Sequence, residues 1–425
     1  MRTARAAAPL LSVGSPKLAR GLAGRREAHE VLRHWGENER DPGRPCLWVH
    51  APSVGEGLQA GAVIAALRAR RPGLQVAFTH FSPSAQGWGP RIGADVSAYL
   101  PWDLSETTSR ALDGVRPNTL VFTKTEVWPV LVEQARRRGV PVAMVAGTVP
   151  ADAGRLRWPT RSVLHATWSS LALGCACSEA DAASLVAMGL PLPSVHVTGD
   201  PAIDAAAERA EAADASSMTL APFHADRRPT VVAGSTWPED EAVLLPALED
   251  VRRSSPAVRL VVTPHEPTPD RVRELMARLA SSRWTVDTLG AVEGRGSAGG
   301  VDAVVVDRVG VLAHLYTVAD VAYVGGGFGR RGLHSVLEPA AARVPVLFGP
   351  RHGRSAAAGE LVRGGGARAV PDRASLSQAV MGWLGDQAVR SRAGEHAFVY
   401  ISSHRGAARR TADLLDPLLL SHPPE

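Results

Sequence analysis

From Cys46 onward the chain alternates short apolar runs with longer segments of helical periodicity, and this alternation is what most narrows its fold. Residues 46–50, Cys-Leu-Trp-Val-His, read as a buried strand. Residues 57–70 carry apolar side chains at helical spacing and stop at Arg-Arg-Pro. Residues 74–78, 118–123 and 141–145 read as further strands, with a helix over 128–138 closed by Gly139. Strands that alternate with helices predict a parallel, doubly wound α/β sheet.

The polar, acidic stretch 206–228 interrupts the pattern, which then restarts. Strands are predicted at 230–233, 258–263, 301–306, 321–324 and 344–348. Helices are predicted at 239–252, 269–280 and 375–385, and the glycine-rich residues 290–300 read as a loop. At 425 residues the chain has room for two or three domains. The reading is a basic arm over 1–42, a Rossmann-like domain over 43–205, a linker over 206–228, and a second Rossmann-like domain over 229–425. The last helix of the second is free to pack back on the first.

Three cysteines in so long a chain are no disulfide framework, which fits a reducing cytoplasm. Cys175-Ala-Cys177 lacks the spacing and the second half of a zinc site and reads as small apolar packing in a strand. No apolar run approaches the roughly 18 residues of a membrane span. The first 26 residues hold Arg2, Arg5, Lys17, Arg20, Arg25 and Arg26 and no acid, a composition suited to an anionic leaflet or to a solvated terminus. The net charge of +5 permits an acidic partner, but with aromatics at 5% it does not call for nucleic acid. Of 47 basic residues only Lys17 and Lys124 are lysines, which reads as coding bias and still draws the eye to a lysine inside a motif.

Open parallel sheets bind ligands beyond the carboxyl ends of their strands, so the loops there are the places to search. The first, His50-Ala-Pro-Ser53-Val-Gly55-Glu56, opens a helix. Ser53 can cap it, Gly55 allows close backbone approach, and Ser-x-x-Glu is a capping-box pattern; Glu56 could equally serve as a general base. In the second, Thr123-Lys124-Thr125-Glu126, Lys124 and Glu126 share a face if the strand continues, which would let them pair. The third, residues 325–339, holds Gly326, Gly327, Arg330, Arg331, Ser335, Leu337 and Glu338. Its G-x-G-x-x-G lacks the acidic residue that a nicotinamide reading needs about 20 positions on. Backbone N–H groups at a helix start, with Arg330 and Arg331, suit a phosphate, and Glu338 could accept from sugar hydroxyls. Minor candidates are residues 234–237 and 263–267, where His265 suits an anion contact.

Together these motifs resemble the Kdo transferases, which attach 3-deoxy-D-manno-octulosonic acid (Kdo) to the lipid A precursor. The segments WVHAPSVGE, PWDLSETTSRALDGVRPNTLVFTKTEVWP, VTGDPAID, AGSTWPEDE, TPHEP, LYTVADVAYVGGGFGRRGLHSVLEPAA and PVLFGP follow the family order across residues 48–350. The resemblance implies a GT-B fold, two Rossmann-like domains facing an inter-domain cleft. It implies an inverting, metal-independent transfer from CMP-Kdo to a lipid A precursor at the cytoplasmic face of the inner membrane. In it Glu56 is the general base and Glu126 the second essential carboxylate. The donor positions it implies are Pro264, His265, Val309, Gly310, Ser335, Leu337 and Glu338, and Ser53 and Gly55 are set with them. No cofactor is expected.

The sequence departs from the family at informative places. It shows no hydrophobic anchor helix at its start, so peripheral attachment is expected. The lysine of the family motif T-G-[SN]-L-K-F-D has become Ala202, and the arginine of N-A-R-L-S has become Thr148. R-H-P reads His265-Glu266-Pro267, M-G-E reads Val309-Gly310-Val311, and H-N-P-L-E reads His334-Ser335-Val336-Leu337-Glu338. Losing one preorganised stabilising group can cost on the order of 10²–10³ in rate. Lys124, where the family often has Glu, is the expected source of part of the lost charge. The alternatives are a GT-B transferase of another nucleotide sugar, or a catalytically silent homologue acting as a binding protein.

Overall fold

The computed structural model describes residues 16–150 and 153–420. It divides into two compact units, Met1–Ala205 with His404–Glu425, and Ala206–Ser403. The first unit holds β1 (Cys46–His50), β2 (Gln75–His80), β3 (Val96–Tyr99), β4 (Thr119–Thr123), β5 (Val142–Gly147), β6 (Leu173–Ala176) and β7 (Val195–Val197). They form one parallel sheet in the order β3-β2-β1-β4-β5-β6-β7. Every residue of β1, β2, β4, β5 and β6 is buried. Helices cover both faces of such a sheet, which is why these strands are apolar throughout rather than alternately. Val49 lies beside Val121, and Val121 beside Ala143, so the carboxyl ends of β1, β4 and β5 share one edge.

The second unit repeats the plan with β8 (Thr230–Thr236), β9 (Arg259–Pro264), β10 (Val286–Thr288), β11 (Ala303–Val305), β12 (Val321–Val324), β13 (Val346–Phe348) and β14 (Ala367–Ala369). Their order is β10-β11-β9-β8-β12-β13-β14, again all parallel.

Four boundaries differ from the sequence reading. Within the supposed arm 1–42, Pro16–Asn38 is a helix that inserts Ala28, Leu32 and Trp35 into the first core. It packs so closely that a Cβ at Gly36 would lie 1.9 Å from the Gly114 carbonyl oxygen. Arg25 is buried in it and is unavailable to a leaflet; Arg2, Arg5 and the Lys17 side chain lie outside the described residues. The supposed linker 206–228 carries the end of helix Pro201–Glu211 and the turn Ala221–Ala225, and its Leu220 and Phe223 join the second core. The second domain does not extend to 425, and its last helix joins the first unit as the sequence reading allowed. Residues 404–420 belong to the first unit, where Asp204 accepts from the Gly406 and Ala408 amides at 2.6 and 2.8 Å. The supposed loop 290–300 begins as helix Leu289–Arg295, because the Thr288 hydroxyl caps it at the Ala291 amide and Leu289 and Val292 are buried.

Candidate active site

The loops after β1 and β4 bring Glu56 and Lys124 together. Glu56 stands in the first turn of helix Val54–Arg70, its side chain 16% exposed. The Lys124 ammonium lies 3.2 Å from Glu56 Oε1, and the Ser53 hydroxyl donates to Oε2. Burial alone would raise the Glu56 carboxyl; Lys124 and Ser53 outweigh it and hold it below its ordinary value. Ser53 sits at the N-cap position with extended backbone, but its hydroxyl faces the carboxylate instead of a backbone amide, so the capping box does not form. A Cβ at Gly55 would meet only Ser53 Oγ, at 3.9 Å, so the chain's own atoms do not require glycine there.

Lys124 does not pair with Glu126. The strand ends at Thr123, and Lys124 turns into the left-handed region at φ +58°, its amide still held by the Val145 carbonyl at 2.9 Å. The period-two face is lost at that turn. Glu126 instead lies 3.8 Å from Nε2 of the fully buried His50. His50 Nδ1 is 3.0 Å from the Thr79 carbonyl oxygen, which can only accept, so the ring proton belongs on Nδ1. Burial lowers the His50 pKa and keeps the ring neutral. His50 Nε2 and Glu126 Oε2 are then two facing acceptors that one donor group can bridge. Arg25 backs this corner. Its guanidinium lies 4.2, 5.0 and 5.3 Å from the ring centres of Phe81, Trp102 and Trp128, and Nε donates to the Leu100 carbonyl. Burial pulls its pKa down to about 10, against the pull of Glu126 and Asp103.

The positions where the family has positive charge also lie in this unit. The Thr148 hydroxyl donates to the Ala146 carbonyl and lies 3.3 Å from Cys177 Sγ. The Ala202 amide donates to Asp200, which also accepts from Gln59 at 2.8 Å. Burial raises the Cys177 thiol, Asp200 raises it further, and Lys124 acts in the opposite sense.

In the second unit the glycine-rich loop faces inward. Asp240, fully buried in the first turn of helix Pro238–Ser254, accepts from the amides of Trp237, Gly326 and Phe328 at 3.0, 2.8 and 3.4 Å, and from the Tyr323 hydroxyl at 3.0 Å. Two amides of the glycine-rich loop are therefore already taken up by an internal carboxylate. Gly326 has φ +92°, and a Cβ there would meet the Gly332 oxygen at 2.0 Å. A Cβ at Gly327 would meet the Gly349 amide at 2.5 Å. These glycines serve the loop's own packing. The helix that follows, Leu337–Ala341, is a single turn, so it offers no strong dipole to an anion.

Around the loop a ring stack forms. His265 lies 4.6 Å from Trp237 and 4.3 Å from His334, and the Arg331 guanidinium covers Trp237 at 3.9 Å. Trp237 Nε1 donates to His334 Nε2 at 2.9 Å, and burial lowers His334 to about 4. Pro264 is buried at the end of β9, and the His265 amide donates to the Thr236 carbonyl at 3.0 Å. Arg330 is exposed. Ser335 accepts from the Leu337 amide at 3.3 Å, and Leu337 is buried. Glu338 is engaged through Oε1 by Arg209 in an ion pair. Val309 is exposed and Gly310 takes φ +93° in the loop after β11. Among the described residues no group of three or more His, Cys, Asp or Glu could hold a metal ion.

A family model described as 3-deoxy-D-manno-octulosonic-acid transferase (kdotransferase) matches residues 26–205. The 3-deoxy-D-manno-octulosonic acid transferase of Bordetella pertussis is 30% identical, across 98% of this chain and 97% of its own length. The chain belongs to the Kdo transferase family. The Haemophilus influenzae family member is 26% identical across 96% of this chain and 94% of its own. Among solved structures, a glycosyltransferase from Rickettsia africae covers 89% of this chain and 100% of its own at TM-score 0.60 and 10% identity. The UDP-GlcNAc 2-epimerase of Neisseria meningitidis, bound to UDP-GlcNAc, covers 89% and 100% at TM-score 0.58 and 13% identity. At such identities these likenesses speak for the fold, two Rossmann-like domains of the GT-B type.

Sequence reasoning missed His50, Arg25, Asp240 and His334 as parts of the site. His50 and His334 stood inside the recognised motifs, and Asp240 stood three residues after Trp237 at a helix start, a signal that was there to use. Nothing in the sequence placed Arg25 beside Glu126.

Proposed function

We propose that this Kdo transferase moves Kdo from CMP-Kdo to a hydroxyl of a lipid A precursor, with inversion and without a metal. The observation that carries the reading is the Glu56–Lys124–Ser53 cluster beside Glu126, at one edge of a parallel sheet. Glu56 takes the proton of the acceptor hydroxyl. The hydroxyl oxygen bonds to the anomeric carbon, and the bond to the CMP phosphate breaks with its electron pair leaving on CMP. Glu126 helps hold the transition state, and Lys124 supplies positive charge where the family's lysine and arginine are absent. The donor is assigned to the second unit, at Pro264, His265, Val309, Gly310, Gly326, Gly327, Arg330, Arg331, Ser335, Leu337 and Glu338.

The protein works against an anionic membrane on its cytoplasmic side in this reading. No helix among the described residues is long and apolar enough to cross one.

The test is transfer from CMP-Kdo to a lipid A precursor in the presence of a chelator, with Glu56→Gln alongside. Product from the parent chain and almost none from the variant is expected; equal product from both refutes the role of Glu56. The engagement of Glu338 by Arg209 keeps a second donor in view, and a thermal-shift panel of CMP-Kdo against UDP- and GDP-sugars separates the two.

A further inference from the structure

We propose that the surface over residues 156–166 seats this protein on an anionic lipid bilayer, an inference that rests on the lipid-borne acceptor proposed above. After β5 the chain leaves the sheet edge that carries Glu56 and Glu126. It then forms the short turn Gly154–Leu156 and the helix Thr160–Trp168. The helix is fixed by its far end, where Trp168 is buried in the first core. Its near end faces water: Trp158 is 83% exposed and Val163 75% exposed, and Arg157, Arg161, Ser162, His165 and Ala166 are exposed with them. Leu156, Trp158, Arg161, Ser162, His165 and Ala166 line a cavity of about 590 Å³.

The charge pattern names the occupant. Residues 153–178 contain three arginines and one histidine and no aspartate or glutamate. Contrast the helix Pro129–Arg137, where Arg136 and Arg137 are both neutralised by Glu133. An exposed tryptophan flanked by arginines suits the headgroup level of a bilayer, where the ring lies at the apolar boundary and each guanidinium meets lipid phosphate. A water-soluble protein partner would more commonly bring mixed charge to such a patch. The position suits the reaction as well, because the segment follows the carboxyl end of β5, at the sheet edge that also carries Glu56 and Glu126.

The test uses the full chain in co-sedimentation with vesicles of phosphatidylcholine alone and of phosphatidylcholine with phosphatidylglycerol. Three variants are compared with the parent: Arg157→Gln with Arg161→Gln, Trp158→Ala, and Arg20→Gln with Arg26→Gln on the exposed side of the N-terminal helix. The parent is expected to bind the mixed vesicles. Losing two interfacial charges weakens that binding by roughly 30-fold, Trp158→Ala weakens it independently, and the Arg20 and Arg26 variant binds like the parent. No binding by the parent overturns the proposal. So does parent-like binding by both segment variants, or an equal loss from the Arg20 and Arg26 variant. Transfer to a deacylated, water-soluble acceptor separates the two readings: a chain that transfers Kdo but ignores vesicles removes only the docking surface, and one that binds vesicles without transfer removes only the proposed reaction.

Discussion

Replacing Lys124 by alanine tests the centre of the site. The ammonium lies 3.2 Å from Glu56 Oε1, on a side chain that is 43% exposed. Two unit charges at that distance attract by about 5 kcal/mol at an effective dielectric near 20. Solvent around the half-exposed lysine screens most of this and leaves about 1 kcal/mol. With Lys124 gone, burial dominates at Glu56 and its carboxyl rises, so the acidic limb of kcat/KM moves to higher pH. The depressed carboxyl stabilises the fold above its unfolded value and loses that contribution as pH falls through the folded value. Lys124→Ala therefore lowers stability by about 1 kcal/mol near neutrality, a difference that fades in acid. The larger effect is on rate. If Lys124 supplies the missing charge, kcat falls by about 10², the low end for a preorganised donor because this one is partly solvated. Initial rates from CMP-Kdo across the pH range measure both effects, with Lys124→Arg expected to restore part of kcat. A parent-like kcat with an unmoved acidic limb would refute the assignment.

Two further perturbations address the scaffold. Asp240→Ala strips the shared acceptor from three amides and the Tyr323 hydroxyl; it is expected to cost about 3–5 kcal/mol in denaturant unfolding, with Asp240→Asn costing less, and a parent-like midpoint for the alanine variant would be inconsistent with the network. Gly36→Val forces the N-terminal helix off Gly114 and is expected to destabilise the first unit by about 1–3 kcal/mol, seen as faster amide exchange in 16–38; unchanged exchange would mean the helix is not held by that contact.

The strands that the sequence reading missed are instructive. Val96–Tyr99, Val195–Val197, Val286–Thr288 and Ala367–Ala369 are the four sheet edges. An edge strand is short, has one partner and keeps polar or exposed residues, as in the partly exposed Val-Asp-Thr of β10, so its apolar signal is weak. The N-terminal helix was read as a basic arm for a similar reason: its core stripe is only Ala28, Leu32 and Trp35 among arginines. The inner strands were legible because burial on both faces makes them apolar from end to end.

By itself the sequence determined the parallel α/β plan, the two-part division and the motifs of the Kdo transferase family, since each is written in local composition and spacing. Only the tertiary structure decided the pairings. A left-handed turn at Lys124 sends its ammonium to Glu56 and leaves Glu126 to His50. Buried Asp240 takes the glycine-loop amides, and Arg209 takes Glu338. These contacts join residues tens of positions apart, and their energy depends on distance and burial, neither of which a local pattern encodes.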